Sequence, residues 1–296
     1  ASRFAMMNLG DETPTALPPS DKLSTVEKWI LFRLEKAIGE TTNALDSYEF
    51  DRAASTLYQF TWQIFCDWYL ELAKPDLNGE HGEERRDHAR AVLSFVLQNM
   101  LRMLHPMVPF VTEEIAQKLG AAEGYLMRQS WPSAQDVPSF PHEAEAFDKV
   151  VDAIAAVRSV RGELGVKPSS HVELHWNDAV SEKLSPYSEH FVRLAKVSTI
   201  SAAESRPASA AAVAEPFEFF ITFPDGIDVE AERARVGKAR TKNEKEIGRL
   251  EGKLSNENFR ARAPEEEVEK QEGILEGLKE ERARLDAAWK TLEGMK

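Results

Sequence analysis

Two groups of residues in this sequence have types and spacings that suit something beyond packing. The first lies between Asp51 and Lys74, where a helical pattern is dense in aromatics. At 100° per residue Leu57, Phe60, Ile64, Trp68 and Leu72 form one stripe, and Tyr58, Trp62, Phe65 and Tyr69 form a second beside it. Together they cover about 200°, more than a surface helix needs. Either this is the central helix of a bundle or some of the rings face a ligand. Gln59, Gln63, Asp67, Glu71 and Lys74 run along its other side. Rings beside amides and acids suit the recognition of unstacked bases in single-stranded RNA, although core packing accounts for most of these aromatics.

The second group is a charge asymmetry near the C-terminal end. Residues 233–262 hold ten basic residues against four acidic, a balance of +6, and residues 263–296 hold six against ten, −4. Pairing between two helices explains part of this. Arg260 and Arg262 are expected at the tip of a hairpin, beyond the paired stems. A basic strand on a projecting arm is an electrostatic footprint for phosphates.

Signatures of catalysis are scarce. There is no GxxxxGK[ST], GxGxxG, GxSxG or HExxH. Cys66 needs a histidine brought to it by the fold before it acts as a nucleophile. His171 and His175 share one face of a strand-like run without a third ligand, so polar strand positions are the better reading than a metal site. Asp67, Glu71 and the EERR run at 83–86 read as solvated helix faces.

The elements that hold these groups follow from pattern. Ser24 and Glu27 form an S-x-x-E capping box, so a helix starts there and runs to about residue 46. The aromatic helix follows, from about Asp51 to Lys74, and is expected to stop at Pro75. A third helix spans about Glu84 to Leu104. Pro109 opens a fourth, with Glu113 and Glu114 near its positive end. Short connections make these an antiparallel bundle. Residues 144–161 form a further helix. HVELHW (171–176), VSTIS (197–201) and FEFFITF (217–223) read as strands, and SRPASAAAVAEP (205–216) as a loose loop. Beyond residue 228, Val236, Arg240, Asn243, Ile247, Leu250 and Leu254 alternate in steps of three and four. Val268, Gln271, Leu275, Leu278, Arg282, Leu285, Trp289 and Leu292 do the same. Two such helices joined by the breaker SNENFRARAP fold back as an antiparallel coiled-coil hairpin that reaches about 40 Å. The fold class is therefore mainly α: a helical bundle (1–132), a small α+β connector (133–227) and a coiled-coil arm (228–296).

Composition sets the limits. The chain of 296 residues carries a net charge of −13, which argues against a generally basic nucleic-acid coat but leaves local patches open. Its one cysteine rules out an internal disulfide, and the cytoplasm is the natural compartment. No apolar run approaches the ~20 residues of a membrane span. The opening ASRFAMMNLGDE lacks the features of a signal peptide and reads like the start of an excised fragment.

Longer stretches carry a resemblance. ASRFAMMNLG, EKWILFRLEKAI, YEFDRAASTLYQFTWQIFCDWYLELAKP and LRMLHPMVPFVTEEIAQKL resemble the anticodon-binding helical domain of class I aminoacyl-tRNA synthetases. Within that family the valine enzymes are the nearest. RSVRGELGVKPS and RLAKVSTI resemble the small segment that follows in them, and GIDVEAERARV with KLSNENFRARAPEEEVEK resembles their C-terminal tRNA-binding arm. The likeness covers essentially the whole chain. It implies a C-terminal part without the HIGH-like and KMSKS-like motifs of the catalytic domain. ATP and Mg then belong to that missing domain, with no cofactor in this chain and no catalysis by it alone.

The implied partner is valine tRNA, with no DNA, no membrane and a monomeric state. The resemblance puts the anticodon loop against the 51–74 helix and the preceding one, with Arg33, Gln59, Gln63, Asp67 and Lys74 as contacts. It puts the outer corner of the tRNA against the arm. There Lys238, Lys242, Lys245, Arg249 and Lys253 lie off the seam, and Arg260 and Arg262 flank Phe259 at the tip. Phe259 either packs on a base or closes the turn. Gly237, Gly248, Gly252, Gly273 and Gly277 are expected to weaken the arm helices by up to ~1 kcal/mol each. The competing readings are a coiled-coil scaffold protein and a hydrolase using Asp67 and Glu71.

Overall fold

The computed structural model describes residues 2–9, 16–120, 124–202, 210–214, 217–223, 229–256 and 265–294. They form two compact units, 1–149 and 150–296. Among the described residues no helix is long and apolar enough to cross a membrane.

The first unit is helical. Helix α1 (Ser2–Leu9) packs on a later helix through Arg90, which donates to the Leu9 carbonyl. Helix α2 (Thr25–Asp46) starts where the capping box requires: Ser24 N–H donates to Glu27 Oε2 at 2.7 Å and Glu27 N–H to Ser24 Oγ at 3.3 Å. Its buried Ile30, Leu34, Ala37, Ile38, Thr41 and Ala44 keep helical spacing. After a turn in which Tyr48 takes a φ of 61°, α3 (Phe50–Tyr58) begins.

The chain then winds as a π-helix over Gln59–Tyr69 before returning to α in α4 (Leu70–Leu77). The expected uniform α-helix is thus corrected. In a π-helix each bond closes from i to i+5, so the inward-facing residues fall four and five apart: Phe60, Phe65 and Tyr69 are the buried residues of this stretch. The two stripes read at 100° per residue recombine. Phe65 and Tyr69 from the second stripe turn inward, while Ile64 and Trp68 from the first are only half-buried. Nor does Pro75 stop the helix. It lies in the last turn, buried, and the chain ends the helix at Leu77 with Asn78 as cap, so the proline removes one hydrogen bond to the preceding turn where little helix remains to be broken.

Helices α5 (Glu83–Leu104) and α6 (Pro109–Lys118) follow, the latter with proline at its first position. Glu113 and Glu114 lie beyond its first turn, which contains no acid. The segment after α6 returns across α2, where Trp131 Nε1 donates to Thr42 Oγ1 at 2.8 Å. Helix α7 (Pro141–Glu163) is the long helix at the boundary between the units. At its N-terminal end Phe147 packs on Trp29, with ring centroids 5.7 Å apart.

The second unit holds a four-stranded sheet in the order β2-β1-β4-β3. Strand β1 (Val172–Trp176) leads through α8 (Asp178–Leu184) and α9 (Ser188–Leu194) to β2 (Val197–Ala202), which pairs with it in parallel. Strand β3 (Ala210–Ala214) and strand β4 (Phe217–Thr222) are antiparallel, and β4 is antiparallel to β1. Alternation buries Val172, Leu174 and Trp176 on one face, where Trp176, Phe191 and Phe219 form a ring cluster with centroids 5.7–6.5 Å apart. Strand β3 lies inside the run read as a loop. Its alanines have little strand preference of their own, and the pairing with the aromatic β4 makes it a strand.

Helices α10 (Val229–Leu254) and α11 (Glu265–Gly294) form the antiparallel hairpin. Contacts pair rising with falling numbers: Arg233 with Leu292, Arg240 with Asp286, Lys279 with Glu251. Val236, Asn243, Leu250 and Leu254 of the expected seam are buried, and Arg240 and Ile247 are half-buried. At 26 residues α10 extends about 39 Å.

Candidate nucleic-acid interface

Because the π winding turns Phe60, Phe65 and Tyr69 into the core, a different set of side chains is left outside. Tyr58 is 60% and Trp62 54% exposed. Their ring centroids are 6.4 Å apart at an interplanar angle of 51°. Gln59, Gln63 and Asp67 are exposed along the same helix. Two rings flanked by two amides and a carboxylate offer stacking surface together with donors and acceptors, the combination that reads splayed-out bases.

Arg33 and Lys74 are arranged differently. Arg33 pairs with Asp148 of α7, and the same carboxylate oxygen accepts from Trp29 Nε1 at 2.7 Å. Lys74 pairs with Glu71 at 2.5 Å, with its ammonium 6.0 Å from the centroid of Phe4. Both cations are tied to neighbouring elements, while Gln59, Gln63 and Asp67 stand outward.

Sequence reasoning passed over two further exposed aromatic groups. Tyr48 and Phe50 lie edge to face at 6.3 Å at the α2–α3 turn. Phe110, 91% exposed, lines a groove of about 350 Å³ with His105, Glu113, Gln117, Tyr125 and Met127. The available signal was local: aromatics beside a turn and beside a helix-opening proline, off the buried stripe.

A polar hub fixes the ends of the helices that carry the platform. Arg85 donates to Glu27 Oε1 at 2.9 Å, to Asp76 Oδ2 at 2.7 Å and to the Lys22 carbonyl at 3.1 Å. Burial opposes its charge, but the hydrogen bonds it donates to both acids hold its pKa above the ordinary arginine value. Burial, with Glu27 and Asp76 close by, pushes the Tyr69 hydroxyl well above its usual range.

The residues weighed for catalysis sit in other settings. Burial raises the Cys66 thiol, so little thiolate exists near neutral pH. His175 engages the Ser201 hydroxyl through Nδ1 at 2.8 Å and the Thr222 hydroxyl through Nε2 at 2.9 Å. Both ring nitrogens are spent on sheet neighbours.

On the arm, Lys238, Lys242, Lys245 and Arg249 are exposed in steps of four, three and four, and Lys253 continues the row half-buried. The row runs two residues out of phase with the seam. Lys238, Lys242 and Lys245 line a groove of about 400 Å³ with Gly237 and Thr241. Phe259, Arg260 and Arg262 lie outside the described residues. Behind the row, Asp286 accepts from Arg240 Nε at 2.6 Å and Arg282 Nε at 3.0 Å. These bonds, that from Arg282 foremost, hold the Asp286 carboxyl below the ordinary aspartate range. The Arg240 guanidinium also stacks over Trp289, 5.1 Å from the ring centroid.

Comparison with known proteins bears on both surfaces. Residues 27–175 match the anticodon-binding domain of tRNA ligases, and residues 228–293 match the valyl-tRNA synthetase tRNA-binding arm. The chain is 39% identical over 279 residues to a valine–tRNA ligase of Syntrophotalea carbinolica and 42% over 281 to that of Geobacter sulfurreducens. It is 37% identical over 295 residues to that of Thermotoga maritima. These alignments cover 91%, 92% and 99% of this chain but 31%, 32% and 33% of the relatives. The chain thus spans about a third of the length of the curated relatives it matches. With half of its residues in the first match and the arm in the second, the chain belongs to the anticodon-binding family of tRNA ligases and carries the tRNA-binding arm of valyl-tRNA synthetases.

Proposed function

We propose that this chain recognises valine tRNA on behalf of a valine–tRNA ligase whose ATP-dependent chemistry resides outside it. In this reading the bundle meets the anticodon loop and the arm meets the outer corner of the tRNA. The observation that carries it is the exposed row Lys238, Lys242, Lys245 and Arg249 on an arm of the tRNA-binding type. Phosphates neutralised by such a row release condensed counterions, so affinity falls with salt. A chain of net charge −13 then binds RNA through a local stripe.

In the bundle, Tyr58 and Trp62 are the proposed stacking surfaces, and Gln59, Gln63 and Asp67 the readers of base edges. Arg33, engaged with Asp148, contributes by holding α2 to α7, and Lys74 is engaged with Glu71 within its own helix. A base edge read by an amide or acid is worth on the order of 1–3 kcal/mol of discrimination, by analogy with DNA.

The test is a filter-binding titration of the chain against a valine tRNA transcript and an anticodon variant across a salt series. Replacing Lys238, Lys242 and Lys245 by glutamine is expected to weaken both RNAs alike and to lower the salt slope by roughly one unit per lysine. Replacing Gln59, Gln63 and Asp67 by alanine is expected to erase the anticodon preference and leave the slope alone. Dimerisation through the arm without RNA affinity would overturn the reading. So would valine-dependent exchange of pyrophosphate into ATP by this chain by itself.

A further inference from the structure

The groove at the corner between α5 and α6 joins open aromatic faces to one directional polar atom. Phe110 and Tyr125, which line it, are 91% and 63% exposed, and Met127 beside them is 73% exposed. Neither ring touches another ring among the described residues. Large apolar groups exposed together mark a binding surface. The lip that carries Tyr125 and Met127 is tied to α6: Gln117 Nε2 donates to the Gly124 carbonyl at 2.8 Å, and Glu113 Oε2 accepts from the Leu126 amide at 2.9 Å. The groove is thus formed before anything enters it, which lowers the cost of binding.

The polar atom is Nε2 of His105, the residue that caps α5 and lines the same groove. Thr112, 1% exposed, directs its hydroxyl hydrogen at the Val108 and Pro109 carbonyls, 3.0 and 3.1 Å away. Toward His105 that hydroxyl can only accept, so Nδ1 carries the ring hydrogen and donates to it at 2.8 Å. In the neutral ring Nε2 is then an acceptor. With Nδ1 turned to buried Thr112, Nε2 lies on the outer edge of the ring; it has no partner among the described residues and is not among the buried atoms that lack one. The acids nearby are already engaged, Glu113 by Gln117 and Leu126, Glu114 by Lys118 at 2.7 Å. Arg128, one residue beyond Met127, is exposed.

We propose that this groove is a nucleobase pocket that takes one unstacked, amino-bearing base of the bound tRNA. The base lies against Phe110 and Tyr125, its amino group donates to His105 Nε2, and Arg128 supplies a cation for its phosphate. An apolar protein side chain would cover the rings but leave Nε2 unmet, whereas a base satisfies face and edge together. The proposal rests on the tRNA-binding reading above and adds a pocket to the platform of Tyr58 and Trp62.

The experiment uses the full chain, two variants and a valine tRNA transcript. Stacking of a base on an aromatic ring is worth roughly five- to 150-fold in affinity. Phe110→Ala is therefore expected to weaken binding about tenfold at an unchanged salt slope. The ring stands outside the core, so circular dichroism should show the helices intact. His105→Asn keeps a donor toward Thr112 but lacks the outer nitrogen, and is expected to bind about fivefold more weakly. Dimethyl sulfate and kethoxal, which attack base edges, should find one base shielded by the wild-type chain and reactive with either variant. Affinity and shielding unchanged in either variant would overturn the proposal; unchanged in both, they leave the groove to a protein partner. A wild-type salt slope that ignores Lys238, Lys242 and Lys245 would instead sink the tRNA-binding reading itself.

Discussion

Five glycines lie in the interiors of the arm helices, and only one has a visible reason to be there. An added Cβ at Gly248, Gly252, Gly273 or Gly277 meets nothing within 4 Å, whereas at Gly237 it lies 3.2 Å from Trp289 Cζ3 and 3.7 Å from Cη2. Replacing an interior helical glycine with alanine gains about 0.5–1 kcal/mol, chiefly by restricting the unfolded chain. The four open sites should therefore contribute about 2–4 kcal/mol together, somewhat less if the pairs Gly248/Gly252 and Gly273/Gly277 couple. At Gly237 the same gain is offset because the indole must move. Its displacement disturbs the Arg240 stacking, worth about 0.5–1 kcal/mol at an exposed site, and loosens the ring contact itself. The expected net effect of Gly237→Ala is zero to about 1 kcal/mol destabilising. Whole-chain melting mixes two units, so the assay is amide hydrogen exchange read along α10 and α11, which reports local opening. Slower exchange in the Gly237→Ala arm, matching that of Gly248→Ala, would refute the argument that Trp289 requires the glycine.

Three further outcomes follow from other contacts. Removing Arg85 strands Glu27, whose side chain is 3% exposed. Arg85→Ala should cost the first unit about 2–3 kcal/mol in denaturant, below the fully buried case because Arg85 itself is partly solvated. Adding Glu27→Gln should recover part of that loss, since it removes the stranded charge and keeps the capping side chain. Asp286 is held ionised by Arg282 and Arg240, and its folded pKa lies below the unfolded one. Its contribution is complete above the ordinary aspartate value near 3.9 and is lost as pH falls through the lower folded value. Asp286→Asn should flatten the acid loss of arm helicity seen by circular dichroism below about pH 4. Cys66, with its thiol raised by burial, should react with iodoacetamide at pH 8 well below the rate of a free thiol and reach that rate in denaturant.

How far the sequence anticipates these results depends on the range of the forces involved. The start of α2 was legible because a capping box is a four-residue event, and Ser24 and Glu27 are enough to specify it. The hairpin was legible because steps of three and four over two long runs admit few alternatives, and the off-seam lysines project as their phase requires. The π winding was not legible, since a fixed 100° per residue cannot represent a stretch that settles its rings by widening its turns. Strand β3 escaped notice because alanines take their conformation from β4. In the candidate interface, Gln59, Gln63 and Asp67 stand outward as the polar side of the helix predicts. The engagement of Arg33 depended on Asp148, 115 residues away and invisible to any local pattern. That of Lys74 depended on Glu71, three residues before it, and was open to reading.

The π segment also makes chain length between Tyr58 and Leu70 a quantity the fold has to conserve. Each residue added to or removed from a helix rotates everything beyond it by about 100°. If one residue between Gln59 and Tyr69 were lost, the ladder could close to the tighter i→i+4 pattern at little local cost. Helix α4 would then be re-aimed by more than a quarter turn, carrying Asp76 away from Arg85 and Tyr69 out of the core. The wide winding acts as a phase shifter between the outward rings of Tyr58 and Trp62 and the anchored end at Asp76. Substitutions that keep bulk are tolerable along it, whereas a change in residue count turns platform and anchor against each other.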